Sequence, residues 1–137
     1  MVRPICRDIL FLSRKSETAG KEDIPTAIDL ADTLRANSAR CVGMAANMIG
    51  VLKRIIAVQT ENGILVMLNP VIAGHSKESY EASEGCLSLT GERTAKRYER
   101  ITVEYRDLSM KKQRGMYEGF TAQIIQHEID HLSGIII

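Results

Sequence analysis

From Asp23 to Ser38 the apolar residues recur at helical spacing, with Ile24, Ile28, Ala31 and Leu34 forming one stripe. Asp23 followed by Pro25 suits the start of such a helix, and Asn37-Ser38 its end. Ahead of it, residues 13–23 are rich in Ser, Lys, Glu and Gly and read as a polar loop. Behind it lies the small-residue stretch Gly43-Met44-Ala45-Ala46. The pattern then tightens. Arg54 to Gln59 and Ile64 to Leu68 read as strands joined across Glu61-Asn62-Gly63, whose Asn-Gly step favours a hairpin. Asn69-Pro70 reads as punctuation before another short strand from Val71 to Gly74. Ile101, Val103 and Tyr105 alternate with polar residues, which predicts a half-buried strand over 98–106. A turn at Asp107 to Ser109 leads to a further strand around 110–117. Helical spacing returns from about Phe120 to Leu132, with Gly134 placed to cap that helix. Ile135 to Ile137 reads as a short closing strand or a frayed tail. Strands followed by one helix predict an α+β fold, with mixed or antiparallel strands around the C-terminal helix, as a single domain over residues 1–137.

Composition narrows the function more than the fold. Apolar content of 45% and charged content of 26% describe an ordinary soluble globular chain. A net charge of +1 gives no electrostatic case for nucleic acid or an anionic membrane. The basic cluster Arg93, Lys96, Arg97 and Arg100 reads as a solvated face. No apolar run approaches the roughly 18 residues of a membrane span. The start, Met1-Val2-Arg3-Pro4-Ile5-Cys6, lacks the apolar stretch of a secretory signal. Three cysteines, at positions 6, 41 and 86, show no metal-finger spacing and suit a reducing compartment. A cytoplasmic location is expected.

The chemistry concentrates in Gln126-His127-Glu128-Ile129-Asp130-His131. Two histidines four apart on a helix share a face, so both imidazoles can reach one divalent metal. The glutamate beside the first can act as general base toward water. Leu132 to Ile137 hold no ligating side chain, which predicts an upstream third ligand. Cys86, in Glu84-Gly85-Cys86-Leu87-Ser88, is the leading candidate, and small Gly85 beside it would permit close approach. A thiolate with two imidazoles suits Zn(II), Fe(II), Co(II) or Ni(II). Three protein ligands leave one position open, the mark of a catalytic site. Cys6 and Cys41 read as inert small side chains, Met44 as packing and His75 as a surface residue.

Three segments occur in a telling order. Cys41-Val42-Gly43-Met44-Ala45-Ala46-Asn47-Met48 aligns with a glycine-rich motif, Gly-x-Gly-Leu-Ala-Ala-x-Gln. Glu-Gly-Cys-Leu-Ser is intact at Glu84 to Ser88, and Gln-His-Glu-x-Asp-His at Gln126 to His131. Together these resemble the peptide deformylases, metalloenzymes that remove the N-formyl group from nascent proteins. The resemblance implies that Cys86, His127 and His131 hold one divalent ion, Fe(II) in the cell with Zn(II) or Ni(II) as replacements. It implies Glu128 as the acid/base and the Leu87 backbone N–H as an oxyanion donor. Val42, Gly43 and Gly85 would border the peptide cleft. Phe120, Gln123 and Ile124 would line the pocket for the substrate's methionine. The partner implied is an N-formylmethionyl peptide, including nascent chains near the ribosome. Neither nucleic acid nor membrane is implied, and the chain is expected to be a monomer or weak homodimer. Glu84 and Asp130 are expected to orient ligands or brace the helix.

Several positions depart from the pattern. The opening glycine is Cys41, whose Cβ would narrow the cleft mouth. Thr90 replaces a proline common after Glu-Gly-Cys-Leu-Ser, and the usual longer C-terminal segment is absent. At the oxyanion position stands Met48 in place of glutamine, and a thioether has no N–H. Losing one such donor costs about 2.7–4 kcal/mol, or about 10²–10³ in turnover. Asn47 carries an amide, but one position along an extended segment it is predicted to point away. Three readings follow: an N-formyl peptide amidohydrolase, slowed if Met48 limits its rate; an impaired homologue that binds metal and a peptide or formylated ligand without efficient turnover; and a general zinc peptidase. The last is disfavoured because it would want a downstream ligand.

Overall fold

The computed structural model describes residues 1–137. Three helices, α1 (Ile9–Leu12), α2 (Ile24–Ala36) and α3 (Gly119–Leu132), accompany seven strands. These are β1 (Gly43–Ala45), β2 (Ile55–Thr60), β3 (Gly63–His75), β4 (Ser79–Cys86), β5 (Leu89–Tyr98), β6 (Arg100–Arg106) and β7 (Lys112–Glu118). Five strands form an antiparallel sheet in the order β1-β2-β3-β6-β7, while β4 and β5 form a separate antiparallel hairpin. The predicted α+β class holds, and every pairing between these strands is antiparallel.

Side chains on a strand alternate between faces, and in β2 both faces are apolar. Ile55 and Ala57 pack with Ala27, Leu30 and Leu34 of α2, whereas Ile56 and Val58 pack with Ile124, Ile125 and Leu132 of α3. In β3, Val66 and Leu68 likewise join the first cluster and Met67 the second. One helix therefore covers each face of the sheet. Central strands buried on both sides need continuous apolar runs, which is why Ile55-Ile56-Ala57-Val58 does not alternate.

The expected helix after Asp23 is present, but its buried stripe is displaced. Ala27, Leu30 and Leu34 face the sheet, and Ile28 is exposed. Several strand boundaries also differ. β3 runs through Asn69-Pro70 instead of stopping there. The register shifts between Leu68 and Val71, so Pro70 falls at an irregularity where the ladder asks no N–H of it. Asn69 takes a positive φ of 54°, and its amide bonds both the N–H and C=O of Ala19, at 2.8 and 2.9 Å. Tyr98 closes β5, so the predicted strand over 98–106 starts only at Arg100. The β4–β5 hairpin, α1 and a 3-10 turn at Lys21–Asp23 in the presumed polar loop were not anticipated. Ile135 to Ile137 form no strand, yet Ile137 is buried.

Helix α3 fixes the chemistry in space. It ends where Ser133, Gly134 and Ile135 N–H groups bond back to Asp130 and His131 carbonyls. Gly134 has φ 77°, and a Cβ there would lie 2.3 Å from Ser13 O, so glycine is required both by conformation and by contact. No helix is long and apolar enough to cross a membrane.

Candidate metal centre and cleft

The i, i+4 spacing on α3 puts His127 and His131 on its buried side, with their Nε2 atoms 3.0 Å apart. Strand β4 delivers Cys86 to the same point, and the donor atoms of Cys86, His127 and His131 lie within 4.8 Å of one another. His127 Nδ1 meets Glu84 Oε1 at 2.8 Å. With Nδ1 donating to that carboxylate, the ring would present Nε2 as a lone pair toward the cluster once deprotonated, the form a bound cation would favour. A cation among the three donors would take that lone pair and its neighbour together. Glu128 Oε1 is buried without a hydrogen-bond partner, and such an orphaned atom is expected where its partner is water or substrate. This donor set fits one divalent, borderline-soft ion.

Environment separates the titrating groups. Burial pushes Glu128 up to about 7, a shift reinforced by Glu84 and Asp130 and opposed by His127 and Arg97. Burial also pushes His131 down to about 3, with His127 adding to the effect. For His127 burial works against the charged ring, but Cys86, Glu128 and Glu84 outweigh it and raise the group to about 9. Glu84 feels the same burial, yet Arg97 and His127 hold it below the usual carboxylate range.

Arg97 is a correction. Expected on a solvated face with Arg93, Lys96 and Arg100, it is 4% exposed. Its Nε lies 2.9 Å from Glu84 Oε2, its Nη2 2.6 Å from Glu84 Oε1 and its Nη1 2.6 Å from Asp130 Oδ2. Unlike Lys96, it sits on the hairpin face turned toward α3, which half-buried Arg93 shares, and there two carboxylates offset the cost of burying its charge. Glu84 thus orients His127, and Asp130 ties α3 to the hairpin through Arg97.

A cleft of about 480 Å³ opens beside this cluster. Val42, Gly43, Met48, Gly85, Cys86, Leu87, Phe120, Gln123, Ile124, His127 and Glu128 all line it, while His131 lies buried outside the lining. All these positions, proposed from three distant segments, come together. Arg40, Cys41, Ser83 and Gly91 line it as well. Arg40 adjoins the first motif, but a single arginine gives no periodic or motif signal. Cys41 does border the cleft, its thiol donating to Gly43 O at 3.0 Å.

The glycines divide differently from expectation. A Cβ at Gly43 would come 2.6 Å from Ile124 Cγ2 and 2.9 Å from Glu128 Oε2, so β1 and α3 approach as closely as glycine permits. A Cβ at Gly85 would meet only ordinary contacts, the nearest 3.6 Å away. Asn47 also differs. It belongs to a 3-10 turn, Ala46–Ile49, not an extended segment. Its amide nitrogen donates to His131 O at 3.0 Å, so it braces α3 and does not face the cleft. Met48 is buried at the cleft wall, its sulfur accepting from Ala45 N at 3.5 Å.

A cysteine and two helix histidines converging beneath a cleft with a partnerless glutamate define a metallohydrolase. Comparison with known proteins narrows the class. The polypeptide deformylase family model matches residues 9–137. A peptide deformylase of Clostridium beijerinckii is 56% identical over 137 residues, covering both chains fully. Among solved structures, a class I type b peptide deformylase from Acinetobacter baumannii superposes with a TM-score of 0.89 at 30% identity, covering 99% of this chain and 97% of that one. The same enzyme bound to Met-Ala-Ser gives 0.88 at 28% identity, covering 99% and 97%. The chain belongs to the polypeptide deformylase family and is an enzyme of that family's hydrolase type.

Proposed function

We propose that this deformylase removes the N-formyl group from the N-terminal formylmethionine of nascent polypeptides, with Cys86, His127 and His131 holding one divalent ion. The reading is carried by the convergence of those three donors beside the unpartnered carboxylate of Glu128. When bound, such an ion supplies Lewis acidity and makes water a nucleophile near neutral pH. Glu128, with a pKa near 7, is poised to take a proton from the attacking water and return it to the leaving amine. The Leu87 N–H serves the developing oxyanion from the cleft wall. Val42, Gly43 and Gly85 border the peptide, while Phe120, Gln123 and Ile124 form the pocket for its methionine. The Met-Ala-Ser peptide seen on the Acinetobacter enzyme is what such a reaction would leave. Fe(II) is proposed as the ion in the cell, with Zn(II) or Ni(II) as substitutes. Three free cysteines suit a reducing cytoplasm, where nascent chains near the ribosome would supply substrate to a monomer or weak homodimer.

Met48 favours a slower variant of this reading, or a homologue that binds without efficient turnover. Its buried sulfur has no proton to give where the family places an amide donor. Formate release from formyl-Met-Ala-Ser, with metal content measured in parallel, tests the function. Met48→Gln is expected to raise turnover by up to about 10²–10³-fold. No gain in the metal-loaded variant would remove position 48 as the limit. Cleavage of unformylated peptides would point to a general peptidase instead.

A further inference from the structure

Gln123 lines the cleft, yet neither end of its amide is free. Tyr80 Oη lies 3.1 Å from Gln123 Oε1, and Gln123 Nε2 lies 3.0 Å from Glu84 Oε2. The polarity of this chain is fixed by its last member. Glu84 is paired with Arg97 through both carboxylate oxygens, so it can only accept. Gln123 must then turn its N–H₂ toward Glu84 and its carbonyl toward Tyr80, and Tyr80 must donate. On its other oxygen Glu84 receives His127 Nδ1. One continuous path therefore links Tyr80 on β4, through the cleft wall, to the ring of His127, with Glu84 accepting from both sides.

Each bond removes a freedom. Arg97 holds Glu84 from the hairpin side through Nε and Nη2, and the Gln123 amide holds it from α3, so the carboxylate cannot swing without breaking charge-assisted bonds on both sides. Tyr80 prevents Gln123 from flipping or folding into the cleft. With its carbonyl and one of its two N–H groups engaged, Gln123 is held in place along the cleft wall.

We propose that Tyr80 and Gln123 are positioning residues, which hold Glu84 on His127 and so tie the cleft wall to the geometry of the metal-binding imidazole. This rests on the reading of His127 as a ligand. Tyr80 does not itself line the cleft, so an effect of its hydroxyl on metal retention and on the Co(II) bands is not the direct loss of a wall contact. That separates positioning from wall-building.

The test compares Tyr80→Phe and Gln123→Met, the latter keeping side-chain length while losing the amide, against the wild type loaded with Co(II). Three quantities are read: the rate of metal loss to excess chelator, the visible absorption of bound Co(II), and kcat and KM for formyl-Met-Ala-Ser. Removing a partner of a metal-bound histidine typically costs about 10–100-fold in affinity or activity. Gln123 acts one bond further out, so Gln123→Met is expected to release metal about tenfold faster. Tyr80→Phe should do so about threefold faster, the scale of one neutral hydrogen bond. Both should shift the Co(II) bands and lower kcat more than they raise KM. Wild-type release rates and bands in Tyr80→Phe would overturn the proposal, even if Gln123→Met alters KM, because a wall residue would do that. Should Gln123→Met fail to fold, Tyr80→Phe decides alone. A wild type that takes up no Co(II) would instead refute the metal-site reading beneath it.

Discussion

Arg97→Met isolates what burial does to an ion pair. Arg97 and Glu84 side chains are 4% and 5% exposed, and their closest contact is 2.6 Å. Methionine preserves most of the stem volume and removes the charge. Glu84 then keeps His127 and Gln123 but loses its guanidinium, and Asp130 loses its partner as well. Breaking one side of a buried pair costs about 3–5 kcal/mol, because the remaining charge is left without compensation. Against a usual total of about 5–15 kcal/mol, that is a large fraction. For a chain of this size it corresponds to a drop of about 10–20 °C in Tm. Arg114→Met is the internal control. Arg114 reaches Glu104 at 2.9 Å, but the two side chains are 65% and 55% exposed. Solvent screens such a pair, so its loss should cost under about 1 kcal/mol. Thermal melts of both variants at matched metal content make the comparison. If Arg97→Met melts within about 3 °C of wild type, or no lower than Arg114→Met, burial is not what gives the inner pair its weight.

Other outcomes follow from the same geometry. Gly43→Ala would press a methyl against Ile124 and Glu128; it should lose about 1–3 kcal/mol to overpacking and should lower kcat/KM by moving Glu128, with denaturant melts and formate release as the checks. Burial first, then Glu128, pushes the Cys41 thiol up to about 11, so at pH 8 about one molecule in a thousand carries the thiolate. Iodoacetamide labelling of Cys41, followed by peptide mass spectrometry, should therefore rise about tenfold per pH unit toward 11, and a pH-independent rate would contradict the assignment. Stripping metal with a chelator should lower Tm and abolish formate release, because an ion that binds only the folded state adds to its stability; an unchanged melt after verified metal loss would count against the site.

Local chemistry made much of this protein legible in its sequence. The i, i+4 histidines of α3 follow from helical geometry alone, as do the buried face of that helix and its stop at Gly134. The Asn62-Gly63 hairpin and the apolar runs of β2 and β3 were equally local. Ligand chemistry and the neighbouring Gly85 made Cys86 the leading upstream candidate and the motif singled it out, but nothing in its spacing from His127 says that the two would meet. Tertiary packing settled the rest. Which stripe of α2 is buried depends on Ile55, Ala57 and Leu68 across the interface, and that choice exposed Ile28 and buried Leu30. The inward face of the β4–β5 hairpin alternates only small or isolated apolar residues, Tyr80, Ala82, Cys86 and Ala95, with the charges of Glu84, Arg93 and Arg97, so its apolar rhythm is too weak to show Arg97 turning inward. Whether an arginine is solvated or sealed against two carboxylates is decided by what the fold lays over it, and a chain read one residue at a time does not contain that neighbour.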